Sequence, residues 1–195
     1  MKTKGIFCLE GQWQEDLRKK NTVRPILELL ELNANVPYIY HDCATIAEFE
    51  FFLKKWRLAK YTKYPILYLA FHGGENGIWI SDDFINLTKI GELLKNKCKN
   101  RIIVLASCST VNIQKSRMEI FLEKTQALAV CGYRLIVPWI TATAFELMLL
   151  STLQENTFDG RGIKAIYRKV DHISKMFRDL RFKIFANFIN SSSKY

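Results

Sequence analysis

A histidine and a cysteine thirty-six residues apart, His72 and Cys108, each stand at the end of an apolar run. The first run, Pro65-Ile66-Leu67-Tyr68-Leu69-Ala70-Phe71, leads into His72-Gly73. The second, Arg101-Ile102-Ile103-Val104-Leu105-Ala106-Ser107, leads into Cys108. Runs of this length and composition predict buried strands. At the ends of two adjacent strands, an imidazole and a thiol make a base and a nucleophile. A thiol is mostly protonated at neutral pH; a neighbouring histidine takes its proton and later returns one to a leaving amine. Gly73 lets a substrate carbonyl come close to the backbone, so the N–H groups of Gly73 and Cys108 are candidate oxyanion donors. Ser107, Ser109 and Thr110 flank the thiol with small polar groups that keep it accessible.

The elements that must hold these residues alternate along the chain. Residues 5–10 read as a first strand, 23–32 as an amphipathic helix with Pro25 in its first turn, and 38–40 as a second strand. Thr45 followed by Glu48 is a capping-box pattern opening a helix through Trp56. Strand three, 66–71, precedes a glycine-rich turn at 73–77 and a hairpin of 78–80 and 84–86 that turns at 81–83. A helix near 89–97, strand four at 102–106, a helix over 114–124 and strand five at 127–131 follow. Then come a helix from Pro138 to Leu153 and a long basic helix over 163–187. The stripe of that last helix is Ile163, Ile166, Val170, Ile173, Phe177, Leu180 and Ile184, a pattern for docking on a sheet.

This order predicts an α/β fold, a three-layer α/β/α sandwich with a mostly parallel sheet. The chain, 1–195, is read as one domain, with C-terminal helices 138–187 packed on the sheet and a frayed tail at 188–195. Ligands of such sheets bind beyond the carboxyl ends of the strands. Trp13, which follows strand one with Glu10 and Gln12, therefore borders the same pocket as His72, and Trp13 and Ser107 are candidate substrate-binding residues.

Composition narrows the function classes. No run of eighteen apolar residues occurs, and the richest stretch, 141–153, is interrupted by Glu146, which argues against membrane insertion. Five cysteines without regular spacing argue against a disulfide framework and for a reducing, cytoplasmic setting. His41 and Cys43 lack a second ligand pair, so no metal site is expected. The net charge of +10 raises a nucleic-acid reading centred on the basic segment 161–183, although no RNA-binding aromatic signature or zinc-finger spacing accompanies it.

Together, the His-Gly strand end, the later Ser-Cys-Ser strand end, their order and the hairpin between them resemble the caspase-like (clan CD) cysteine peptidases. That superfamily contains caspases, metacaspases, gingipains, separases and CHAT domains, and the resemblance spans residues 5–153. It implies a sheet order of 2-1-3-4-5 and a Cys-His dyad that cleaves peptide bonds, with a peptide or protein as substrate and no cofactor. In it, His72 is general base and acid, Cys108 the nucleophile and Gly73 an oxyanion-hole amide. The position two before the cysteine, Asp in metacaspases and Gln in caspases, is Ala106 here, so neither basic nor acidic specificity carries over. Arg134, just beyond strand five, stands roughly where caspases carry an arginine, which implies contact with an acidic side chain. A non-catalytic caspase-like module that binds a regulatory protein partner in the same cleft is the alternative from another functional class.

Overall fold

The computed structural model describes residues 3–188. In chain order, β1 (Ile6–Gly11), α1 (Arg24–Ala34), β2 (Tyr38–Cys43), α2 (Ile46–Trp56) and β3 (Ile66–Ala70) lead into three short strands. These are β4 (His72–Gly74), β5 (Gly77–Ile80) and β6 (Asp83–Asn86). Next come α3 (Leu87–Leu93), β7 (Ile102–Ala106), α4 (Lys115–Thr125), β8 (Ala129–Tyr133), α5 (Trp139–Thr152), α6 (Gly162–Met176) and β9 (Phe182–Ala186).

Six strands form the central sheet in the order β2-β1-β3-β7-β8-β9, parallel except for β9. The apolar runs of β3 and β7 are continuous because both faces of the sheet are covered. Ile66, Tyr68, Ala70, Ile102, Val104 and Ala106 face a layer built on α1, α5 and α6. Leu67, Leu69, Phe71, Ile103 and Leu105 face the opposite layer, built on α2, α3 and α4. A one-residue slip of either strand would exchange the two sets, so packing fixes the register. At the start of α2, Thr45 Oγ1 accepts from Glu48 N–H at 3.3 Å while the Glu48 carboxylate accepts from Thr45 N–H at 3.0 Å. That is the reciprocal cap expected from the sequence.

The C-terminal third differs from its expectation. Helix α6 ends at Met176, a single turn of 3-10 helix spans Arg178–Leu180, and residues 182–186 are a strand antiparallel to β8. The helical block expected over 138–187 is corrected accordingly. Leu180 and Ile184 fit a period near 3.6 as well as one of two, whereas Phe182, about 200° round a helix from Leu180, fits only a period of two; the helical stripe by itself does not decide. Pairing does: without β9, the outer edge of β8 would leave a row of backbone groups unbonded. Arg181, left-handed at φ 46°, makes the corner. The glycine-rich turn after β3 is also more ordered than expected, since His72–Gly74 pairs with β5 to make a three-stranded sheet. The tail expected at 188–195 lies, apart from Phe188, outside the described residues. Among the described residues, no helix is long and apolar enough to cross a membrane.

Candidate functional site

The parallel ladder between β3 and β7 pairs Ile66 with Ile102 and ends at Ala70 with Ala106. His72 and Cys108 both stand two residues beyond that last pair. Their sequence separation is therefore the ladder offset itself, and the two emerge side by side. Ser107 closes the seam just below them: its Oγ accepts from Phe71 N–H at 3.2 Å and reaches Leu69 carbonyl oxygen at 3.4 Å. Ser107, a candidate substrate-binding residue, lines the cavity shared by His72 and Cys108, and its hydroxyl holds the two strand ends together.

Gly73 packs directly on the Cys108 backbone. A Cβ at this position would lie 2.6 Å from Cys108 N and 2.8 Å from Cys108 C, distances that no side-chain carbon tolerates. Beyond the cysteine, Ser109 takes a left-handed φ of 58°, and Thr110 Oγ1 donates to Gly77 carbonyl oxygen at 3.1 Å. These constraints fix the turn that presents the thiol. Among the described residues, no acceptor takes the Cys108 N–H, so that donor remains for a ligand oxygen.

His72 is exposed, and its Nε2 lies 2.9 Å from the Trp13 carbonyl oxygen. A carbonyl only accepts, so Nε2 carries the proton in this bond and Nδ1 keeps the basic lone pair. The Trp13 ring also meets the imidazole edge-on, with centroids 5.1 Å apart, and meets Trp139 at 4.7 Å. What fixes Trp13 is Glu10, 1% exposed at the end of β1. Its carboxylate accepts from Trp13 Nε1 at 2.5 Å, Val23 N–H at 2.8 Å, Thr22 Oγ1 at 2.6 Å and Tyr40 OH at 2.5 Å. Four donors offset the cost of burying that charge. A carboxylate on β1 thereby sets the orientation of an imidazole that follows β3.

His72 and Cys108 line one cavity of about 60 Å³, together with Trp13, Ala106, Val137 and Trp139. On its other side, His72 borders an open groove of about 680 Å³ along Gln12, Gln14, Lys19 and Asp82. Leu135, Ile136 and Ile140 extend exposed apolar side chains from the segment that carries Val137. The site thus combines a small pocket with a longer surface.

At the inner end of the cavity sits Glu146 of α5, 4% exposed. Its carboxyl accepts from Tyr68 OH at 2.5 Å and from Tyr133 OH at 2.8 Å. Burial pushes its pKa up to about 7, against the opposing pull of the two hydroxyl bonds. Burial likewise drives both tyrosines well above the usual phenol range. Sequence reasoning missed this cluster. The available signal was an acidic residue in the most apolar helix, which costs too much to leave without partners.

The cysteines divide sharply. Cys8, Cys43, Cys98 and Cys131 are buried, and burial raises all four thiols, Cys43 and Cys98 to about 12. Cys108 is the half-buried one. Arg134 is not at this cavity. It is exposed, donates to Asn112 Oδ1 at 3.4 Å and lines a separate groove with Glu75 and Arg117. His41 stacks on Phe52 at 4.0 Å, and among the described residues no three His, Cys, Asp or Glu side chains group as metal ligands.

Fold and site define an α/β protein with a histidine and an accessible cysteine at the carboxyl edge of a mostly parallel sheet. The chain belongs to a family of unknown function, DUF6642, whose model matches residues 3–186. The search of curated proteins found no match.

Proposed function

We propose that this protein is a caspase-like cysteine peptidase that cleaves peptide bonds with Cys108 as nucleophile and His72 as general base and acid. The observation that carries the reading is the shared cavity of His72 and Cys108, with His72 Nε2 committed to the Trp13 carbonyl. That commitment leaves Nδ1 to take the thiol proton. The thiolate then attacks the substrate carbonyl carbon, and the N–H groups of Cys108 and Gly73 receive the developing oxyanion. Collapse of the adduct breaks the C–N bond, and the imidazolium protonates the departing amine. Water, deprotonated by the same imidazole, releases the acyl group from sulfur. The observed neighbour order of the five parallel strands, β2-β1-β3-β7-β8, supports the resemblance as well. The exposed apolar residues Leu135, Ile136 and Ile140 suit an extended peptide.

The same surface suits a non-catalytic peptide-binding module, and one substitution separates the two readings. Labelled casein and a mixed fluorogenic peptide library are the substrates, with iodoacetamide as a thiol probe. For the peptidase, alkylation modifies Cys108 alone, His72→Ala slows it, and Cys108→Ala abolishes cleavage while the protein stays folded. Cleavage equal in wild type and Cys108→Ala, or alkylation of Cys98 as fast as Cys108, overturns it.

A further inference from the structure

We infer that the outer face of α6 binds the phosphate backbone of double-stranded nucleic acid, independently of the cysteine site. Between residues 161 and 178, six Lys or Arg stand against one Asp, a net of +5 out of the chain's +10. Half the net charge thus falls on less than a tenth of the chain.

Helix geometry gathers that charge on one side. At about 100° per residue, Arg161, Lys164, Arg168, His172 and Lys175 fall within an arc of about 80°. Ile163, Ile166, Val170 and Ile173, all buried against the sheet, occupy the diametrically opposite arc. All five members of the polar row are exposed, as is Arg178, whose Nε donates to the Lys175 carbonyl oxygen and so continues the line. Lys175 pairs with Asp171 at 2.7 Å, and Lys169, off the row, pairs with Glu155. Among the described residues, Arg161, Lys164 and Arg168 have no acidic partner within ion-pair distance.

The rise of the helix spaces these groups about 5 Å apart over about 21 Å. Duplex nucleic acid carries one charge per about 1.7 Å, so about twelve phosphates lie along that length, enough to meet every cation in the row. Two observations favour a duplex over other polyanions. No aromatic side chain stands in the basic arc to stack unpaired bases, as single-strand sites require. The apolar face of α6 is already buried in the core and cannot enter a lipid interface, as a membrane-surface helix must.

The test measures anisotropy with a labelled DNA duplex of about 24 base pairs, its RNA counterpart, a single strand of equal length, and phosphatidylserine vesicles. With about five phosphates contacted, the logarithm of the association constant falls against that of salt with a slope of about −4.5, or about 500-fold between roughly 50 and 200 mM. Replacing Arg161, Lys164 and Arg168 with Gln makes the slope shallower by about 3. The same change at Lys95, Lys97 and Lys99 leaves it in place, and circular dichroism confirms both variants are folded. The DNA and RNA arms report which duplex is preferred. Absence of duplex binding at low salt, equal losses from both triple variants, or tighter binding of single strand or vesicles overturns the inference. Because Cys108→Ala leaves α6 untouched, failure of the peptidase reading does not alter this outcome.

Discussion

Replacing Glu146 with Gln should flatten part of the pH dependence of folding. In the native protein the carboxyl titrates near 7, against an ordinary value of 4.5, because burial disfavours its charged form. Between those values the folded protein holds a proton that the unfolded chain has released. Stability conferred through this group is therefore complete below the unfolded pKa and is lost as pH rises to the folded one. A difference of about 2.5 units at 1.36 kcal/mol per unit amounts to about 3 kcal/mol in all, and about 2.5 kcal/mol of it falls between about pH 5 and pH 8. Gln keeps the shape and an acceptor oxygen without a titrating proton, and the Tyr68 and Tyr133 hydroxyls can rotate to suit the amide. Urea unfolding of wild type and Glu146→Gln across that range gives a difference curve in which other carboxyls cancel. The expected curve moves in favour of the variant as pH rises and levels off above about 7. A flat difference would show that the Glu146 carboxyl ionises normally, and the account of the cluster would be wrong.

Gly73→Ala should cost about 1–3 kcal/mol, since a methyl group there must displace the Cys108 backbone; thermal unfolding reads the loss, and an unchanged midpoint refutes the close approach. Glu10→Ala removes the acceptor of Trp13 Nε1, Val23 N–H and Thr22 Oγ1, while Tyr40 OH keeps Asp42 Oδ1 at 2.7 Å, and should destabilise the fold by about 3 kcal/mol. It should also slow alkylation of Cys108, because the Trp13 carbonyl no longer holds His72. An unaltered alkylation rate would separate Glu10 from the cysteine site.

Much of the architecture was legible because it depends on local rules. The unbroken apolar runs at 66–71 and 102–106 could be satisfied only by burial on both faces, and Thr45 with Glu48 closes a cap within one helical turn. The strand at 182–186 was not legible, since Ile184 continues the helical stripe that begins at Ile163 and what decides it is the unpaired edge of β8. The Glu10 network was half visible: the chain places Glu10 at a strand end, but its donors come from residues 13, 22, 23 and 40.

By itself, then, the sequence determined which side chains are chemically competent and that two buried strands lead into them. Tertiary structure decided the rest. It set the register in which a thirty-six-residue offset becomes adjacency, turned Ser107 into a brace, and sent Arg134 to a different groove. It also placed a carboxyl from α5 under the pocket. The reason is physical: periodicity and capping act over a few residues, whereas hydrogen-bond partners and desolvation come from whatever the folded chain brings alongside.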